Sequence, residues 1–189
     1  MSATLLSRIP RDRLDPQLQP AWDKLNELTG SATFVEVFAQ APQALDLVMN
    51  RFYMGLFFGG QVGQRYKQLA RLKLSLLHGC RTCNRQNIPG AHEAGFTDAQ
   101  IDALITGNVS LFTAAEQAVI AYAEQVALTN MEGELTPALF AQLREHFTEA
   151  DILELGTVMA IISGMAKLSF VLNVVEKESY CPFASHAAA

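Results

Sequence analysis

Cys80-Arg81-Thr82-Cys83 follows directly on Gly79, which closes a strongly apolar helical stretch. Thiols three residues apart at a helix start lie on one face, close enough to form a disulfide with little backbone movement. The free amides of a helix start and the cation of Arg81 both favour thiolate over thiol. A thiolate attacks a peroxide or a disulfide, and the second thiol then resolves the product. The pair reads as a redox centre, and the helix start favours Cys80 as the more acidic thiol.

Zinc is the other chemistry open to a close cysteine pair, and it needs four ligands. The candidates are Cys80, Cys83, His78, His92 and Cys181, but no second CxxC and no HxxxH accompanies them, so no metal is expected. His78, two residues before Cys80, either stabilises a thiolate or caps a helix C-terminus with its charge. His92, nine residues after Cys83, is expected on a surface or a subunit contact. Cys181 reads as a bystander in the tail.

The rest of the chain must position that pair. Half of its 189 residues are hydrophobic and only 17% are charged, more apolar surface than one small helical core requires. Part of it is therefore expected between subunits. A net charge of −5, with basic residues scattered, argues against nucleic acid. The N-terminal charges precede no apolar run, which argues against a secretory leader. With three cysteines, this suggests a reducing compartment, the cytoplasm. The apolar segment from Ile152 to Val175 carries Lys167 and Ser163-Gly164 in its middle, so it reads as a buried central helix with no membrane role.

Helix signals recur and strand alternation is absent. Asp15-Pro16 should cap a helix bearing Leu18, Trp22 and Leu25 and ending at Gly30. Leu45, Val48, Met49, Phe52 and Leu56 follow helical spacing up to Gly59-Gly60. Thr97 with Gln100 and Thr113 with Glu116 form capping boxes; Thr136-Pro137 and Thr148 open two further helices. About eight helices with short turns are expected, in one domain over 15–178, with a loose arm (1–14) and tail (179–189).

The run from Arg65 to Cys83, followed by Ala91-His-Glu-Ala-Gly95-Phe-Thr, resembles the core signature of the alkylhydroperoxidase D-like, or carboxymuconolactone decarboxylase, family. The resemblance extends over most of residues 20 to 176. It implies an all-α, AhpD-like helical bundle, assembled as a trimer or hexamer, that reduces peroxides through the CxxC pair without a cofactor and is reset by a dithiol donor. The family's relay glutamate and histidine fall on Gln68 and Asn87, neither of which moves a proton near neutral pH. By the same resemblance Cys83 is the attacking thiol, against the choice of Cys80 from the helix start. Lactone decarboxylation, which needs the acid–base pair, is disfavoured. Pro89-Gly90 falls within a helix that the family keeps continuous, so a kink or break is expected there. The alternative to a peroxidase is a non-enzymatic redox sensor or an oligomeric binding protein that kept the fold and lost the relay.

Overall fold

The computed structural model describes residues 4–183. Among these are nine α-helices and no strand. They are α1 (Gln19–Thr29), α2 (Thr33–Phe38), α3 (Pro42–Asp46), α4 (Gln64–His78), α5 (Arg81–Glu93), α6 (Asp98–Thr106), α7 (Ala114–Val126), α8 (Pro137–Arg144) and α9 (Glu149–Val171). The helix beyond the expected eight is the short α2. A π-helical segment, Leu47–Phe57, continues α3 without a break. Its wider turns carry Phe52 and Phe57 into the interior.

The helix starts follow the cap chemistry. Thr97, Thr113 and Thr148 each make both halves of a capping box, with Gln100, Glu116 and Asp151. Each such cap contributes ~1 kcal/mol to its helix. The first helix departs from expectation. Asp15 folds its side chain onto the amide of Gln17 and its carbonyl onto that of Leu18, making a turn, and α1 begins only at Gln19.

α4 is the central element and packs against α5, α7 and α9. Leu69 and Leu74 of α4, Val119 of α7 and Leu155 of α9 are fully buried in the main core. Burying each such side chain contributes ~2 kcal/mol. α9 is long and apolar enough to cross a membrane by length and composition alone, but it packs as a core helix of this bundle. It is buried on one face only: Val158 and Met159 are sealed, whereas Leu153 and Val171 are 70% and 65% exposed.

α5 runs through Pro89 without interruption. The expected break does not occur. Proline removes the bond to the carbonyl of Arg85, a residue on the exposed side of α5 where water can replace it. The described parts of the two termini are also held more firmly than expected. Leu14 is buried, and the amide of Ile9 donates to the carbonyl of Glu36. The chain after α9 returns across the start of α5, where Lys177 pairs with Cys80 in an antiparallel bridge and the amide of Glu178 donates to the carbonyl of Gly79. Cys181 is buried beside them, and Phe183 stacks on Phe170. The remaining tail residues, 184–189, lie outside the described residues.

Candidate active site

Gly79 ends α4 in the left-handed conformation, with φ 62°, and so turns the chain straight into α5. Cys80 becomes the N-cap of α5, its sulfur accepting the amide of Cys83 at 3.2 Å. The two cysteines are joined as a disulfide, with Cα atoms 5.2 Å apart. Cys80 is fully buried, whereas Cys83 is only partly so. Accessibility therefore favours Cys83 as the thiol that meets a substrate, and Cys80 as the one that resolves.

α4 supplies a polar stripe at positions 68, 71, 75 and 78, one face of a helix whose other faces lie in the core. Gln68, Arg71, Ser75 and His78 are all buried, and all line the cavity whose wall also includes the disulfide. α5 contributes Asn87 and Gly90, one and two turns beyond Cys83. The remaining walls are mainly apolar, formed by α1, the π segment and α9 through side chains such as Leu25, Phe52, Ile162 and Met165. The cavity holds about 550 Å³. That volume suits a small organic molecule, and its mixture of an apolar body with a few polar groups is typical of ligand sites.

Gln68 and Asn87, on which the family relay is expected to fall, both line this cavity. Asn87 donates to the carbonyl of Arg71 at 3.4 Å, and the Gln68 Oε1 is buried with no protein partner. Gly90 makes room for the stripe. A Cβ there would stand 2.7 Å from the Arg71 Nη2 and 2.9 Å from the Gln68 Oε1.

His78 keeps its place in the site but not a charge. Burial pushes its pKa down to about 4, and its Nε2 accepts the amide of Leu128 at 3.1 Å. The imidazole is therefore neutral near pH 7 with its proton on Nδ1, which has no protein partner. In the disulfide state desolvation by burial holds the ring neutral. His92 is exposed and bonded to the carbonyl of Phe96 and to Asp98, and it does not line the cavity. This separates it from the cysteines. Cys181 is no loose bystander: its thiol donates to the carbonyl of His78 at 3.0 Å.

Arg71 was overlooked in the sequence. The available signal was a cation three residues after Gln68, on the same face of an otherwise apolar helix. Burial lowers its pKa, against opposing contributions from Tyr53 and Glu93, and its guanidinium lies over the Phe57 ring at 5.0 Å.

The carboxymuconolactone decarboxylase family model matches residues 42–125, the stretch from α3 to α7 that holds Gln68, Cys80, Cys83 and Asn87. The chain resembles this family over its central helices. Solved structures of AhpD-like fold match between 72% and 95% of it. An uncharacterized peroxidase-related protein from Ralstonia eutropha JMP134, described as an alkylhydroperoxidase AhpD core, matches with a TM-score of 0.72 at 13% identity, covering 95% of this chain and 94% of its own. The debrominase Bmp8 in its apo form matches with a TM-score of 0.72 at 17% identity, covering 93% of each chain, and a variant of it was solved with 2,3,4-tribromopyrrole. An Agrobacterium tumefaciens protein of unknown function, assigned a proposed AhpD role in antioxidant defence, matches with a TM-score of 0.64 at 18% identity, covering 72% of this chain and 92% of its own. No curated protein matches the sequence. At these identities the likeness establishes the AhpD-like fold, into which the Cys80–Cys83 pair is built.

Proposed function

We propose that the protein is a thiol-disulfide oxidoreductase that reduces small apolar hydroperoxides through Cys83 and Cys80. The observation that carries this reading is the disulfide itself, formed between a buried Cys80 and a partly accessible Cys83 on a mainly apolar cavity. In the reduced enzyme the Cys83 thiolate attacks the terminal peroxide oxygen. The O–O bond breaks, the alkoxide takes a proton to leave as alcohol, and Cys83 becomes a sulfenic acid. Cys80 then attacks that sulfur, water leaves and the disulfide forms. A dithiol donor returns both thiols and is itself oxidised, a cycle suited to the cytoplasm. Because Gln68 and Asn87 hold no mobile proton, the alkoxide's proton must come from solvent or from another cavity group, and turnover should be slow.

Bmp8 motivates a second arm of the assay. Reductive debromination has the same thiol balance: the carbon–bromine bond is replaced by carbon–hydrogen, bromide leaves, and two thiols become a disulfide. The test is steady-state turnover of cumene hydroperoxide, hydrogen peroxide and 2,3,4-tribromopyrrole with dithiothreitol as donor. Loss of hydroperoxide in Cys83→Ser at the wild-type rate overturns the proposal. Debromination without peroxide turnover moves the same thiols to the second reaction. One stoichiometric oxidation without turnover on any substrate leaves a redox sensor. The exposed apolar face of α9, with Leu153 and Val171, is proposed to be covered in a homo-oligomer.

A further inference from the structure

Among the described residues three cations are buried, Lys67, Arg71 and Lys73, all on α4. Lys67 pairs with Glu154 at 2.6 Å and Lys73 with Glu124 at 2.8 Å. Arg71 pairs with no carboxylate among the described residues. It is 7% exposed, its Nε has no partner, and it lines the cavity of Cys83. An arginine does not shed its proton to escape such a site, so the charge stays and requires compensation. Phe57 and Tyr53 offset part of the cost, and Glu93, exposed at the cavity edge, acts on it from beyond ion-pair range. The cavity's other charged group, Lys24, is also exposed and carries the same sign as Arg71.

The Gln68 amide ends beside the guanidinium. Both lie against Gly90, at 2.7 Å for the Arg71 Nη2 and 3.1 Å for the Gln68 Nε2 from where a Cβ would be, and the amide's oxygen is unpartnered. A planar guanidinium next to an amide donor is a carboxylate receptor. The surrounding walls are mainly aliphatic and aromatic, with Leu25, Val48, Phe52 and Met165 among them, which suits a hydrocarbon body better than an inorganic ion.

We infer that the cavity binds an apolar monocarboxylate, its carboxylate on Arg71 with the Gln68 amide as second donor, and its hydrocarbon body against the apolar walls. Combined with the proposed chemistry, on which only this extension rests, the substrate is a carboxylic acid that carries the hydroperoxide on its apolar part. Binding itself requires no redox step. It is therefore measured on the oxidised protein, by calorimetric titration of decanoate, decanamide and inorganic phosphate.

Wild type should bind decanoate about 10–100-fold more tightly than decanamide, the worth of a buried charge-assisted contact. Arg71→Met should lose that preference and retain decanamide, and Arg71→Lys should keep part of it. A thermal melt establishes that each variant is folded, and the decanoate–decanamide comparison on wild type needs no variant at all. Equal binding of the two ligands by wild type, no binding of decanoate, or phosphate binding as tight as decanoate overturns the inference. Decanoate binding in a protein that turns over no peroxide leaves the inference standing and removes the proposed reaction instead.

Discussion

Gly79 and Cys181 lie so close that a Cβ on the glycine would stand 2.6 Å from the Cα of the cysteine. The same glycine has φ 62° and hands the chain from α4 to the Cys80 N-cap. Gly79→Ala should therefore destabilise on two counts, left-handed strain of ~1 kcal/mol and displacement of the returning segment. Urea unfolding should give a total loss above about 2 kcal/mol, within the upper range for point changes with a named backbone cause. Cys181 should also become reactive to an aqueous thiol reagent. A variant as stable as wild type, with Cys181 still protected, would show that the segment does not rest on Gly79.

Reduction should expose the two site thiols unequally. Cys83 is partly accessible and Cys80 is sealed. Brief iodoacetamide treatment of reduced protein should label Cys83 first, as peptide mass spectrometry reads. Hydroperoxide added to Cys80→Ser should trap a sulfenic acid on Cys83. Preferential labelling of Cys80 would reverse the assigned roles, in favour of the helix-start argument.

The amides at the relay positions face the same cavity as Cys83. Gln68→Glu together with Asn87→His should raise peroxide turnover by about 10²-fold, and far more than either change alone, because a relay needs both groups. Asn87 lies one turn after Cys83 on an α5 that Pro89 does not interrupt, so the imidazole would be correctly sided. Wild-type turnover already fast and indifferent to both changes would mean that another group supplies the proton.

His78 makes stability depend on pH. Its pKa in the folded protein is about 4, below its ordinary 6.5, so the unfolded chain takes up the proton first as pH falls. The contribution is complete above about 6.5 and is lost as pH falls towards about 4, a loss of about 3 kcal/mol. His78→Gln can still accept the Leu128 amide and should flatten that part of the profile. Urea unfolding of both proteins between these limits is the check, and parallel profiles would show that His78 does not titrate there.

Leu153 and Val171 stand exposed on α9. Light scattering should find an oligomer at micromolar concentration, and Leu153→Glu with Val171→Glu should reduce its mass. A wild-type monomer would leave this face without a partner copy.

Much of this protein is local, and so could be read from the chain alone. The hydroxyl caps at Thr97, Thr113 and Thr148, the stop at Gly79 and the spacing of Cys80 and Cys83 act within a turn or two of backbone. They determine helices and a disulfide wherever the elements later pack. The expectation that Gln68 and Asn87 share one site came from the resemblance to a family; both line the cavity. What the tertiary structure alone decided is the state of each polar group. His78 is neutral because distant residues bury it, and Leu128, fifty residues away, donates an amide to its Nε2. His92 is excluded because Phe96 and Asp98 hold it at the surface. Lys67 and Lys73 find carboxylates on α9 and α7, whereas Arg71, on the same helix, faces the cavity. Desolvation and pairing depend on which distant residues arrive, and local spacing does not encode them.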